Sequence, residues 1–206
     1  MIKENPMWED YTNNITSENI YIEIPSVYSP SVNQDTIPHK FISEIKTQTL
    51  SLEEIEAQLL VVSQLTQKGI KEHKAGEFHV AIKSLKTALE LLQGIGSTEK
   101  QSQVLTLLGL VAYSQSNYEK TIYYCQQSLS LIKEYPDQKI EMQALSYLGN
   151  AYRHLNEYDK AIICLNRELK ITQSLSDQRS QIAALNNLGL VYKACGNFTK
   201  AIEFYL

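Results

Sequence analysis

The sequence Leu-Gly-Asn-Ala-Tyr at residues 148–152 returns forty residues later as Leu-Gly-Leu-Val-Tyr at residues 188–192, and this return decides the fold. The glycine of this pattern recurs at one register along the chain, at Gly69, Gly109, Gly149 and Gly189. A repeat of this length is typical of solenoids, in which each small unit buries its apolar face only by stacking on its neighbours. We therefore predict a solenoid whose function is carried by a surface rather than by a pocket of catalytic groups.

The residues around the glycines predict a helix, a short turn and a second helix in every unit. An aromatic residue follows each glycine by nine positions, at Phe78, Tyr118, Tyr158 and Phe198. A small residue follows each glycine by twelve positions, at Ala81, Thr121, Ala161 and Ala201. Because glycine inside a helix costs about 1 kcal/mol relative to alanine, its recurrence indicates a close approach of the paired helix. We predict that the small residue is the counterpart of the glycine and that the ring packs in the seam with the next unit.

Composition divides the chain into an N-terminal arm and the repeats. Four of the five prolines lie in the first 38 residues, while no glycine occurs before Gly69. Proline lacks the amide donor and clashes with the preceding helical turn, so residues 1–50 are predicted to be an extended or disordered arm. Within it, apolar and polar side chains alternate over residues 19–24, as in a strand or a docking motif.

The solenoid is predicted over residues 51–206, with units 61–100, 101–140, 141–180 and an incomplete 181–206. A capping box at Ser51 and Glu54 begins its first helix.

Charge excludes one class of partner. Residues 1–50 hold seven acids and three lysines, whereas the remaining 156 residues carry 16 acids and 16 bases. No stretch is basic enough to supply the phosphate attraction on which nucleic-acid binding depends.

The longest aliphatic run, residues 59–62, is far shorter than the roughly 20 residues of a spanning helix, and the first residues lack a signal-peptide pattern. We expect no nucleic-acid partner, no membrane insertion and a cytoplasmic location.

The pattern Leu-Gly-x-x-Tyr at 148–152 and 188–192, followed by Tyr158-x-x-Ala161 and Phe198-x-x-Ala201, resembles the tetratricopeptide repeat. The resemblance covers about residues 61–206. A forty-residue period is similar to that of the extended subclass found in kinesin light chains, in the Leu-Gly-Asn repeat adaptors of cell polarity and in bacterial multi-repeat proteins. The resemblance implies an all-α fold, a right-handed α-solenoid of antiparallel helix pairs.

The resemblance also implies that the first helix of each unit lines a concave groove. The groove positions of these helices mix amides, hydroxyls and cations with almost no acid. The candidates for partner binding are Tyr113, Gln143, Ser146, Asn150, Arg153, His154, Asn186, Leu190 and Lys193, with Thr106 at the same register as Ser146. Asn150 is the best single candidate because an amide can pair with both the carbonyl and the N–H of an extended peptide, while Arg153 and Lys193 favour acidic side chains. The alternative is that these residues are solvated positions on one helix face.

The sequence contains no catalytic signature. It has no Gly-x-x-x-x-Gly-Lys phosphate loop, no His-Glu-x-x-His pair and no Gly-x-Ser-x-Gly elbow. The four histidines have no metal-ligand spacing. We expect no enzymatic activity, no cofactor and no metal site.

The preferred function is that of a scaffold or adaptor that binds a peptide or protein segment in the groove, with an acidic or extended partner. One alternative is a sensor module of a larger enzyme or signalling protein, and another is an assembly chaperone of a multi-subunit complex. The last unit stops inside its second helix and leaves Ala201, Ile202 and Tyr205 open. We expect either a fragment of a longer protein or self-association through this end. The acidic arm is expected to serve solubility, with occupation of the groove by residues 19–28 as the alternative.

Overall fold

The computed structural model describes residues 50–204, which form eight α-helices and no strand. The helices are α1 (Leu52–Lys74), α2 (Phe78–Ile95), α3 (Thr98–Ser114), α4 (Tyr118–Ile132), α5 (Gln138–His154), α6 (Tyr158–Ser174), α7 (Gln178–Ala194) and α8 (Phe198–Glu203). The predicted all-α solenoid is thereby confirmed. The strand-like segment at 19–24, the remainder of the arm up to residue 49 and Tyr205 lie outside the described residues.

Neighbouring helices pair in chain order, and the first helices of the pairs form the inner layer. Each of α1, α3 and α5 contacts the next first helix, and all four first helices contact the second helix of their own pair. Within residues 50–204 the second helices α2, α4 and α6 do not contact one another. Because one row of helices is in mutual contact and the other is splayed, the row of first helices forms the concave side.

Every intra-pair turn contains one residue with a left-handed backbone, and these residues are again forty apart: Gly76, Ser116, Asn156 and Gly196, with φ between 57° and 83°. The following helix starts two residues after the left-handed residue. At the start of α4, for example, the side chain of Asn117 accepts a hydrogen bond from the Lys120 N–H. Such side-chain caps satisfy amides that have no partner inside the helix. The capping box predicted at the start of α1 is confirmed, since Ser51 and Glu54 exchange both of its hydrogen bonds.

Three of the four repeat glycines lie directly against the second helix of their own unit. A Cβ placed on Gly149 would lie 2.7 Å from Cγ of Leu165, closer than a Cβ atom tolerates. The carbonyl oxygen of Ala161 lies further from that Cβ, at 3.4 Å. Gly69 meets Leu85 and Gly109 meets Cys125 in the same way. The nearest side chain is therefore one helical turn beyond the small residue that the sequence predicts as the counterpart of the glycine.

The small residues and the rings occupy different depths. Among the small residues Ala81, Thr121 and Ala161 are fully buried and Ala201 is 4 % exposed. The ring of Tyr118 stacks on His154 of the next unit, with centroids 4.3 Å apart. Tyr158 packs against the apolar core, whereas Phe78 lies against His73 of its own unit and Phe198 is 63 % exposed. The seam position of the ring is therefore seen most clearly at Tyr118.

No described helix combines the length and the apolar character needed to cross a bilayer.

Candidate functional site

The C-terminal ends of α3 and α5 bring three of the candidate residues together. The hydroxyl of Tyr113 lies 3.2 Å from Nε2 of His154, and Nη2 of Arg153 lies 3.0 Å from the same atom. Tyr118 covers the His154 ring from the start of α4, with the two rings parallel to within 3°. We call Tyr113, Tyr118, Arg153 and His154 the histidine cluster.

The electrostatics of the histidine cluster fix the protonation of its imidazole. Arg153 is a donor only and stays charged, so the Nε2 atom that faces its Nη2 must act as an acceptor. The His154 ring is then neutral and carries its proton on Nδ1. Burial and the neighbouring charge of Arg153 both lower the pKa of His154 below its ordinary value, which agrees with this assignment.

The guanidinium of Arg153 has unused donor capacity. Its Nε atom is buried and has no hydrogen-bond partner, and no carboxylate lies within 4.0 Å of the group among the described residues. An unpaired buried donor on a charged group costs more free energy than an exposed one. The groove therefore holds a cation whose natural partner, an anionic oxygen, is absent from the described part of the chain.

Asn150 lies one turn before the histidine cluster on α5. Its Nδ2 donates to the carbonyl of Ser146 at 3.0 Å, and its side chain is half-buried. Its Oδ1 accepts no hydrogen bond within residues 50–204. This fixed amide keeps one acceptor and one N–H for a ligand.

Thr106 does not line the groove, which corrects the assignment made from the sequence register. It is 2 % exposed, and its hydroxyl lies 2.8 Å from that of Ser128 on α4. Ser128 also donates to the carbonyl of Ser102. The two hydroxyls satisfy each other inside the unit, so this register position faces the second helix rather than the open groove.

Ser146, at the same register in the next unit, also lies in a seam between helices. Its hydroxyl lies beside Glu168 on α6 and 3.5 Å from Nδ2 of Asn187 on α7. Glu168 occupies the position that Ser128 holds in the preceding unit, and it is only 3 % exposed. Its Oε2 has no hydrogen-bond partner, and burial raises its pKa to about 7 even though the neighbouring Ser146 hydroxyl acts in the opposite direction.

The remaining candidates are spread along the groove. Gln143 is exposed and lines a cavity of about 260 Å³ at the N-terminal ends of α3 and α5, together with Gln103, Glu99 and Asp137. Asn186, Leu190 and Lys193 are exposed on α7, and no side-chain hydrogen bond is formed by them within residues 50–204. The structure therefore gathers Tyr113, Arg153 and His154, fixes Asn150 beside them, and leaves the α7 residues open.

Sequence reasoning missed one aromatic neighbour of the histidine cluster. Tyr147 lies on α5 with its ring centroid 6.5 Å from that of Tyr113. His73 and Ser114, in contrast, occupy groove positions that the repeat register predicts, equivalent to Tyr113 and His154, and Nε2 of His73 lies 2.8 Å from the Ser114 hydroxyl. The side-chain contacts between successive first helices join residues 41 positions apart, at 73 and 114, at 113 and 154, and at 146 and 187. This spacing, the repeat period plus one, is a signal that could have predicted these three contacts from sequence, whereas the pair Tyr113 and Tyr147 does not follow it.

No group of histidine, cysteine and acidic side chains within residues 50–204 is arranged to hold a metal ion.

Comparison with protein families identifies the repeat. A tetratricopeptide repeat family model matches residues 100–174, and a second one matches residues 182–206. No match to this sequence was found among curated proteins.

Solved structures share the fold. A Rap protein complexed with Competence and Sporulation Factor has a TM-score of 0.65 at 22 % identity, over 74 % of this chain and 44 % of its own. A Signal Transduction ATPase with Numerous Domains that carries a tetratricopeptide repeat sensor, from Pyrococcus horikoshii, gives a TM-score of 0.64 at 28 % identity, over 74 % of this chain and 24 % of its own. A putative kinesin light chain from Podosopora anserina gives 0.61 at 14 % identity, over 69 % of this chain and 70 % of its own. The chain thus spans less than half of the first two structures.

Proposed function

Because this chain belongs to the tetratricopeptide repeat family, we propose that it is a non-enzymatic adaptor that binds an extended, acidic segment of a partner protein. The segment occupies the groove formed by α1, α3, α5 and α7, and its capture assembles or localises a larger complex. Tetratricopeptide repeats in general serve protein–protein interaction and are not catalytic. A cytoplasmic location for this role stays a prediction from sequence.

The observation that carries the proposal is the guanidinium of Arg153, whose Nε has no hydrogen-bond partner and which has no carboxylate within 4.0 Å among the described residues. A charged donor without a carboxylate partner among the described residues is suited to an acidic side chain, because charge-assisted hydrogen bonds are about twice as strong as neutral ones. Asn150 supports the same proposal, since its free acceptor and N–H suit the main chain of an extended segment. Lys193 adds a second exposed cation on the neighbouring first helix.

A sensor module within a longer signalling protein is the second candidate. It is supported by the likeness to the Pyrococcus horikoshii ATPase, in which the repeats are a sensor. A third arrangement, self-association, is supported by the apolar side chains exposed on α7 and α8, where Ile182 is 61 % and Phe198 63 % exposed. A sensor role and self-association through α7 and α8 both leave the groove free to bind the acidic segment proposed above.

Reversing the groove charges tests the adaptor proposal. The variant with Arg153→Glu and Lys193→Glu is expected to lose the partner in affinity capture with quantitative mass spectrometry from the source organism, with recovery reduced about tenfold or more. The matched control carries Lys133→Glu and Lys170→Glu, which change the net charge equally at exposed positions outside the groove. The control is expected to retain the partner.

Equal recovery of the same partner by the groove variant and by the parent protein contradicts the groove proposal. Equal loss in both variants contradicts it as well, because the effect would then follow from net charge. A circular dichroism spectrum of each variant verifies that the helices persist.

A further inference from the structure

Glu168 places a carboxyl at a position where the preceding unit has a fully hydrogen-bonded hydroxyl. The equivalent residue, Ser128, lies forty positions earlier, and both side chains are buried, with Ser128 0 % and Glu168 3 % exposed. Ser128 lies 2.8 Å from the Thr106 hydroxyl and donates to the Ser102 carbonyl. Glu168 brings one oxygen more, and its Oε2 is buried without a partner. The third unit therefore contains a buried acceptor that its neighbours do not satisfy.

The carboxyl of Glu168 lies at the junction of three helices. It belongs to α6, the hydroxyl of Ser146 on α5 lies beside it, and that hydroxyl is 3.5 Å from Nδ2 of Asn187 on α7. Leu165 of α6 and Leu188 of α7 belong to one apolar core. We call the packing of α7 on α5 and α6 the α7 seam.

The α7 seam is the contact of this junction that opens most easily. In the α5–α6 pair, Gly149 lies directly against Leu165, which is fully buried. Within residues 50–204, α7 forms one side-chain hydrogen bond to these two helices, from Asn187 to Ser146, and its length of 3.5 Å exceeds the usual range for an N–H donor. Water therefore reaches the carboxyl with the least loss of packing when α7 moves.

We propose that Glu168 makes the α7 seam sensitive to pH: when the carboxyl loses its proton, α7 loosens from α5 and α6 and admits water to the charged oxygen. An ionised carboxylate is an acceptor at both oxygens, and burying a charge without donors costs far more free energy than burying the neutral acid. The inference does not depend on the proposed groove function, although α7 also carries Asn186, Leu190 and Lys193.

Among the described residues, the groups around this carboxyl neither neutralise its charge nor titrate near neutral pH. On the same helix, Arg167 is paired with Glu141 of α5, and burial raises the pKa of Cys164 to about 12. Burial also raises the pKa of the Tyr147 phenol on α5 and that of the neighbouring Cys125 thiol on α4. The contact from α7 is a neutral amide. Protonation of the seam therefore depends on one carboxyl.

The direction of the response follows from the closed and open forms of the seam. Burial raises the pKa of Glu168 to about 7 in the closed form, whereas a hydrated carboxyl has its ordinary value of 4.5. Between these values the open form has released a proton that the closed form keeps. Opening therefore becomes more favourable as the pH rises through this window, and it levels off above about pH 7. The first two units have the uncharged residues Ala88 and Ser128 at this position.

Hydrogen–deuterium exchange of the 206-residue chain, followed by mass spectrometry, measures the opening of each helix separately. The parent protein and Glu168→Gln are compared at equal pH between about pH 5 and about pH 8, which cancels the intrinsic pH dependence of amide exchange. For the amides of α7, the ratio of the exchange rate in the parent to that in the variant is expected to rise about tenfold or more over this range. The ratio for α3 is expected to rise several times less, because units of a solenoid open partly independently.

A second variant repeats the test without glutamine. Glu168→Ser combined with Ser146→Thr installs in the third unit the pair that Ser128 and Thr106 form in the second. It is expected to remove the pH response of α7 as Glu168→Gln does. A ratio for α7 that stays constant between about pH 5 and about pH 8 overturns the inference. Equal ratios for α3 and α7 overturn it as well, because Glu168 would then act only on the unfolding of the whole chain.

Discussion

Replacing Glu168 with glutamine is expected to stabilise the protein by about 3 kcal/mol at about pH 8 and to leave its stability near pH 4 almost unchanged. The carboxyl is 3 % exposed, one of its oxygens has no partner, and burial raises its pKa from 4.5 to about 7. Each unit of such a shift corresponds to about 1.4 kcal/mol. Glutamine keeps the size of the side chain and a group that can bond to Ser146, but it carries no charge to bury.

The sign of the effect follows from proton binding in the two states. Between about pH 4.5 and about pH 7 the folded protein holds a proton on Glu168 that the unfolded chain has already released. Stability therefore falls as the pH rises through this window and stays at the lower level above it. His154, whose pKa is lowered by folding, acts in the other direction by removing stability below its ordinary range. The difference between the parent protein and the Glu168 variant isolates the carboxyl.

Urea denaturation followed by circular dichroism, at several values between about pH 4 and about pH 8, measures the free energy of unfolding of both proteins. Glu90→Gln is the matched control, because Glu90 is exposed on α2 and makes no ion pair within residues 50–204. An identical pH profile for the parent and for Glu168→Gln would show that Glu168 ionises as it does in water.

Periodicity predicts what is shared by the units and fails where a unit departs from the others. The forty-residue glycine spacing was sufficient for the solenoid, and the predicted groove register placed Tyr113, Arg153 and His154 on successive first helices, where the structure brings them into contact. The repeat register predicts that Thr106 lines the groove, but Thr106 is buried against the Ser128 hydroxyl on the second helix. The burial of Thr106 depends on which residue the second helix places opposite it, and a pattern derived from the first helices alone cannot predict that.

The role of Glu168 shows the same limit. In sequence it replaces a small residue late in the second helix, and only burial turns this substitution into a perturbed carboxyl beside Ser146. Charged residues are almost never fully buried without a partner, so composition alone favours a solvated position for it. The contacts 41 residues apart are different, because they follow from the period and the stacking of the first helices and could have been predicted.

Replacing Gly149 with leucine is expected to destabilise the protein by about 3 kcal/mol or more. A Cβ on this residue would lie 2.7 Å from both Cγ and Cδ2 of Leu165, which is itself fully buried, and 3.4 Å from the Ala161 carbonyl. The packed second helix cannot yield without opening the α5–α6 pair, and overpacking a core costs typically 1–3 kcal/mol, occasionally more. Because α5 also carries Asn150, Arg153 and His154, we expect the groove to lose its geometry as the pair opens. Thermal and urea unfolding measure the change.

Gly94→Leu is the matched control, since Gly94 also lies within a helix, α2, but no atom lies within 4 Å of the Cβ that leucine would add. Leucine has a higher helix propensity than glycine and meets no clash at this position, so stability is expected to rise by about 0.5–1 kcal/mol. A double-mutant cycle identifies the contact. Gly149→Ala should cost stability in the parent protein and little once Leu165→Ala has removed the side chain that it strikes. Equal costs of Gly149→Ala in both backgrounds would mean that Leu165 is not what requires a glycine here, and the explanation of the repeating glycine by close helix approach would fail at this unit.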